Sequence, residues 1–186
     1  MSIEINDRDA LIVVDVQTDF CPGGALAVAE GDSIVPGINA LLPRFSTRVF
    51  TRDWHPADHC SFSGEPQFVD KSWPPHCVAN TTGAQFHPAL EVPKDAVVID
   101  KGTDSTKEAY SGFDGTALAD TLRARGIHRV FVCGLATDYC VKATVLDAKQ
   151  SGFETFVIED LCRGVNIPAG SADTAINDMK QAGVYV

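Results

Sequence analysis

The chain has 186 residues, 45% hydrophobic and 22% charged, with a formal net charge of −10. That length fits one domain burying roughly 70% of its unfolded surface, and the acidic balance disfavours nucleic acid or an anionic membrane as partner. No apolar run approaches the ~20 residues of a membrane span, and the charged opening MSIEINDRD is not a signal peptide. Six cysteines (21, 60, 77, 133, 140 and 162) in a chain this long, with no targeting segment, read as reduced thiols in a cytoplasm.

In chain order, residues 10–16 (ALIVVDV) form an apolar run ending in an acid, the pattern of a central strand. The turn-rich stretch TDFCPGGALAV follows. Asp32 or Ser33 can cap a helix to about residue 45, with Ile34, Val35, Ile38, Leu41, Leu42 and Phe45 on one face. Pro36 fits only in its first turn. Residues 48–54 (RVFTRDW) read as a second strand. Residues 55–95 carry many Pro, Gly, Ser and His residues and no period, yet Trp54, Phe62, Phe68, Trp73 and Phe86 are too many aromatics for disorder. The segment reads as a folded wall over a pocket.

Residues 96–101 (AVVIDK) are a third strand, and 116–125 a helix stopped by Gly126. Residues 130–135 are continuously apolar, as in a strand buried on both faces. Thr137 and Asp138 then offer N-cap chemistry to a helix with Val141, Thr144, Val145 and Ala148 on one face, ending near Gly152. A fifth strand spans 154–161, a last helix 171–182 ends at Gly183, and 184–186 form a short sixth strand. Strands alternating with helices, with no repeat or linker, predict a single α/β domain over 1–186 whose parallel sheet is covered on both faces.

In such sheets ligands bind outside the carboxyl ends of the strands. Asp15 ends strand one, Asp53 and His55 end strand two, Lys101 ends strand three, and Cys140 follows strand four. Four strands thus deliver reactive groups to one rim. A thiol in the first turn of a helix feels unpaired N–H groups that favour thiolate, although a buried cysteine there serves equally as a small hydrophobe. Amide hydrolysis by Cys140 needs a carboxylate to carry its proton and a cation to offset developing negative charge, roles open to Asp15 and Lys101. The plainer alternative is an Asp–Lys ion pair beside an inert thiol. Backbone N–H groups of Ala136 and Cys140 could converge on an oxyanion. Asp53, His55, His59, His76 and His87 form a metal candidate suited to zinc, iron or manganese, whereas a closed structural zinc site would need C-x(2–4)-C pairs, which are absent. Phe20 and Trp73 suit the lining of a flat-ring pocket.

Together the blocks IVVDVQTDFCPGGALAV, TRDWHPADHCSF, WPPHCV, IDKGTD, AYSGF and GLATDYCVKATVLDA resemble the nicotinamidases (pyrazinamidases) of the isochorismatase-like cysteine hydrolases, over nearly the whole chain. The resemblance implies a three-layer α/β/α fold with parallel sheet order 3-2-1-4-5-6. It implies a catalytic triad of Asp15, Lys101 and Cys140, and a cis peptide between Leu135 and Ala136 that aims the oxyanion donors Ala136 and Cys140. One divalent ion, zinc foremost, with iron and manganese as alternatives, would be held by Asp53, His55 and His76. Phe20 and Trp73, with Tyr110 nearby, would hold the ring of a small-molecule substrate. Some relatives carry a further histidine ligand at a longer interval; here His59 follows His55 by four, Ser61 lies nearer that position, and His59 is left out of the ligand set. The implied reaction is hydrolysis of nicotinamide to nicotinate and ammonia, as in NAD salvage. The alternatives are a metal-free hydrolase of the same superfamily and a non-catalytic binding protein on this fold. The sequence leaves open whether the chain forms a homo-oligomer.

Overall fold

The structure, a computed structural model, describes residues 4–186. Five strands form one parallel sheet: β1 (Asp9–Val14), β2 (Thr47–Asp53), β3 (Val97–Lys101), β4 (Arg129–Leu135) and β5 (Glu154–Arg163), in the order β3-β2-β1-β4-β5. Every residue of β1 and all but the first of β4 are buried. A strand buried on both sides reads as a continuous apolar run, which is why these two segments stand out in the sequence. The helices are α1 (Val35–Leu41), α2 (Leu118–Ala124), α3 (Lys142–Gln150) and α4 (Ser171–Gln181). None is long and apolar enough to cross a membrane among the described residues. All six cysteines are free.

The differences from the sequence expectation have local causes. The helix predicted to reach residue 45 is divided: Gly31–Ile34 and Leu42–Arg44 are 3₁₀ turns flanking a short α1. Pro36 does lie in the first turn of α1, but Pro43 has no N–H to continue the ladder. Neither Asp32 nor Ser33 caps it; Glu30 precedes the turn in the left-handed region, and the Ser33 hydroxyl donates back to Glu30 O at 2.7 Å. The helix after β3 starts at Leu118 rather than 116 because the Thr116 hydroxyl accepts the Leu118 N–H at 3.2 Å. Thr137 and Asp138 make no capping bond; residues Thr137–Val141 form one π turn ahead of α3. The expected sixth strand reduces to a single bridge. Tyr185 donates to Thr155 O at 3.0 Å and accepts from Val157 N at 2.8 Å, so the order stops at β5. Between β2 and β3 no helix or named strand forms, and the chain is held by isolated bridges such as His55 to Val78 and Phe62 to Trp73.

The strand order reverses between β1 and β4, whose carboxyl ends therefore flank a crevice. Close approach of the two strands there depends on Gly134. It sits at φ +120° beside the register shift in the β4–β5 pairing, and an added Cβ would fall 2.1 Å from Val14 O. Gly152, also at positive φ (+92°), has nothing within 4 Å of such a Cβ. Gly152→Ala should therefore cost about 1–2 kcal/mol for its backbone conformation alone. Gly134→Ala should exceed about 4 kcal/mol, since backbone must move. Urea titrations of both variants read the difference, and equal costs would contradict the packing described.

Candidate active site

Three parallel strands bring three charges together. Asp53 and Lys101 are register partners on β2 and β3, and Asp15 follows β1 on the other side of β2. Lys101 Nζ lies 2.9 Å from Asp15 Oδ2, 2.5 Å from Asp53 Oδ1 and 3.3 Å from Cys140 Sγ. All four side chains are buried. Asp15 leaves the ladder at φ +48°, a left-handed conformation uncommon for a residue with a side chain, which ends β1 two residues earlier than its apolar run implies. The Thr51 hydroxyl donates to Asp15 Oδ1 at 2.7 Å and fixes the carboxylate plane. Gln17 does the same for the Asp53 main chain, accepting its N–H and donating to its carbonyl, both at 2.8 Å.

The environment separates the two carboxylates. Burial raises Asp15, and Lys101 offsets this only in part. Burial would raise Asp53 as well, but Lys101 together with His55 and His76 holds it well below the usual carboxylate range. Burial alone would neutralise Lys101; Asp15 and Asp53 instead push its pKa well up, so it stays an ammonium. Burial also pushes the Cys140 thiol well up despite Lys101, with Asp15 and Asp53 adding to the rise. The resting sulfur is therefore a protonated thiol, not the thiolate that a helix start by itself favours.

On the other side of Asp53, one ligand atom each from Asp53, His55 and His76 lies within 4.8 Å of the others. Asp53 Oδ2 is 3.5 Å from His55 Nε2 and 4.0 Å from His76 Nε2. His55 Nδ1 contacts Gly102 O and His76 Nδ1 contacts Pro74 O, both at 2.8 Å. A carbonyl can only accept, so each Nδ1 carries a proton, and in the neutral ring each Nε2 then presents a lone pair to the cluster. Gly102 is required for this approach: an added Cβ would lie 2.4 Å from His55 Cε1. Burial pulls His76 down to about 4, whereas Asp53 overcomes the same burial at His55 and raises it. The donor set is one carboxylate and two neutral-capable imidazoles, which fits a divalent transition ion with open positions. His59 has no lone pair to spare. Its Nε2 donates to Lys107 O at 3.2 Å and its Nδ1 accepts from the Ser61 hydroxyl at 2.8 Å. His87 is absent from the group.

The π turn Thr137–Val141 carries Cys140. The Leu135–Ala136 peptide before it is cis. Tyr139 N and Val141 N both donate to Ala136 O at 3.1 Å, while the N–H groups of Ala136 and Cys140 make no bond outside the turn among the described residues. The expected ring-holding residues divide between the two clusters. Phe20 packs on His76 with centroids 5.4 Å apart. Trp73 Nε1 donates to the Tyr110 hydroxyl at 3.1 Å, and both rings meet Tyr139, at 4.9 and 5.8 Å. Tyr139, Thr51 and Gln17 are site residues that the sequence reading did not single out. Only the adjacency of Tyr139 to Cys140 could have flagged one of them.

Fold and site together define an open parallel α/β protein with a hydrolase-type crevice at its switch point. The isochorismatase domain family matches residues 9–186, and the chain belongs to that family. It is 45% identical to the nicotinamidase of Escherichia coli K12 over 94% of this chain and 92% of that one. It is also similar to the pyrazinamidase of Pyrococcus horikoshii solved in complex with zinc, at 47% identity and TM-score 0.86, over 96% of this chain and 97% of that one. A third relative is PnC1 of L. infantum in complex with nicotinate, at 38% identity and TM-score 0.89, over 100% and 95% of the two chains.

Thr51→Val keeps the shape of the side chain but leaves Asp15 Oδ1 without its hydroxyl donor. The expected loss of stability is about 1–3 kcal/mol, read as a lower urea midpoint with unchanged slope. A neutral result would mean that Thr51 does not hold Asp15.

Proposed function

We propose that this protein hydrolyses nicotinamide to nicotinate and ammonia, and pyrazinamide to pyrazinoate, by a cysteine-dependent mechanism. The observation that carries the proposal is the Lys101 ammonium, 2.9 Å from one carboxylate and 3.3 Å from a buried thiol. Family membership and relatives named for this activity support the same reading.

In this reaction Asp15 takes the Cys140 proton, for which burial has made it a stronger base than an ordinary aspartate. The sulfur bonds to the carboxamide carbon as the C=O π pair moves onto oxygen. The N–H groups of Ala136 and Cys140 hold that oxyanion. Asp15 returns the proton to the amide nitrogen, the C–N bond breaks, and ammonia leaves a thioester. Asp15 then draws a proton from water as the water oxygen adds to the thioester carbon; the intermediate collapses with cleavage of the C–S bond, nicotinate departs, and the Cys140 sulfur takes its proton back from Asp15. Lys101 remains charged throughout and offsets the negative charge that passes between sulfur and oxygen. Asp53 stays an anion and does not shuttle protons.

Asp53, His55 and His76 would hold one divalent ion, with zinc as the first choice on the donor chemistry. When bound, it supplies a Lewis acid for the lone pair of the pyridine nitrogen. Phe20 would flank the ring on the His76 side, and Trp73 with Tyr110 would complete the wall.

Cys140→Ala should lower ammonia release from nicotinamide by at least about 1,000-fold while leaving the circular dichroism spectrum unchanged. Retained turnover would sink the assignment of the nucleophile.

Substrate selection should follow the ring nitrogen. Pyrazinamide, which keeps that lone pair, should react; benzamide, which lacks the nitrogen, and nicotinamide mononucleotide, whose nitrogen is quaternised, should not. Chelator-treated protein should also lose nicotinamide binding in calorimetry and regain it on adding zinc. Benzamide turnover as fast as that of nicotinamide would remove the ring-nitrogen contact from the proposal.

A further inference from the structure

The carboxylate of Asp138 stands two residues before Cys140, yet its partners all lie outside the turn. Oδ1 accepts the N–H of Val165 at 3.0 Å, and Oδ2 accepts the N–H of Asn166 at 2.8 Å and the hydroxyl of Ser171 at 2.5 Å. Val165 and Asn166 lie in the connection from β5 to α4, and Ser171 opens α4. The next residue doubles the attachment: the Tyr139 hydroxyl donates to Ile167 O at 2.9 Å. The fit is close at Gly164, where an added Cβ would fall 3.2 Å from Asp138 Oδ1 and 2.7 Å from the Ala172 Cβ.

An aspartate at this place has a ready local alternative. In an Asx turn the carboxylate accepts the backbone N–H two residues ahead. Here that N–H is the one on Cys140, a donor assigned to the oxyanion. Such a bond would consume the donor and set a full negative charge beside the oxygen that must itself become negative. Three donors from another part of the chain, one of them a hydroxyl, give the carboxylate a better destination.

We infer that Asp138 is a positioning residue: the Val165–Asn166–Ser171 clamp holds its carboxylate on the outer flank of the π turn and so keeps the Cys140 N–H free for the oxyanion. The inference rests on the reaction proposed above. It also gives the 164–171 segment a task in catalysis.

The test compares Ser171→Ala, which loosens the clamp, with Ser171→Thr, which keeps the hydroxyl, and Asp138→Ala, which removes the carboxylate. The probe is nicotinaldehyde. Asp15 takes the Cys140 proton as the sulfur adds to the aldehyde carbon, the π pair moves to oxygen, and the oxygen of the resulting hemithioacetal occupies the oxyanion site. Ser171→Ala should lower kcat and nicotinaldehyde affinity together by about 10-fold, whereas Asp138→Ala, which removes the competing carboxylate together with its anchor, should lose less than Ser171→Ala. The KM for nicotinamide and the rate of Cys140 alkylation by iodoacetamide should stay within about two-fold, and Ser171→Thr should restore wild-type behaviour. Folded fraction is normalised by circular dichroism, so that a variant that folds poorly is scored on its active molecules.

Unchanged aldehyde affinity in Ser171→Ala, or a loss in Asp138→Ala as large as or larger than that in Ser171→Ala, would overturn the inference. So would equal losses in kcat, KM and alkylation rate, which would mark general loosening of the turn. Wild-type protein that releases no ammonia from nicotinamide would be a failure of the proposed reaction itself. An active wild type with an indifferent Ser171→Ala would be a failure of the clamp alone.

Discussion

The structure depends first on one buried ammonium. Lys101 Nζ has no solvent exposure and sits between Asp15 and Asp53. Burying an isolated charge costs several kcal/mol, and burying one without a partner is strongly destabilising. Neither carboxylate could stay ionised there without Lys101, nor Lys101 without them. The sheet order makes the arrangement feasible, because β3, β2 and β1 are consecutive neighbours and present the three groups side by side at one edge. One ammonium between two carboxylates still leaves an excess negative charge. The lone pairs of His55 and His76 face that excess, which is the electrostatic reason a cation belongs on the far side of Asp53.

What the sequence made legible followed from period and position. Buried strands announce themselves as apolar runs, and in a parallel sheet the residue after such a run lies on the functional rim. Asp15, Asp53, Lys101 and Cys140 could be placed together on that argument alone, and the structure does bring them within contact distance. The hydrogen bonds that aim these side chains were not legible. Thr51 reaches Asp15 from a position 36 residues away, and Asp138 finds its donors 27 to 33 residues ahead. Nothing in local pattern encodes contacts at that separation. The cap expected at Thr137 and Asp138 failed for a related reason: the residue types were right for an N-cap, but tertiary donors outcompeted the turn's own N–H groups. Likewise Val184–Val186 has strand composition, but only Tyr185 meets β5.

Burial acts in the same sense on the nucleophile and its base, raising both Cys140 and Asp15, and the partners of each carboxylate then support the proposed division of labour. The surroundings that keep Cys140 protonated at rest also make Asp15 hold a proton more readily than an exposed aspartate would. Asp53 experiences the same burial but has Lys101 and two imidazoles against it, so it remains an anion whatever its neighbour does. Two aspartates of one cluster are thereby set to different tasks by their partners alone. Both carboxylates lie within 4.8 Å of the sulfur, but only the one without histidine neighbours is suited to carry protons. The proposed assignment of base to Asp15 and of ligand to Asp53 therefore rests on the partners that each strand end provides.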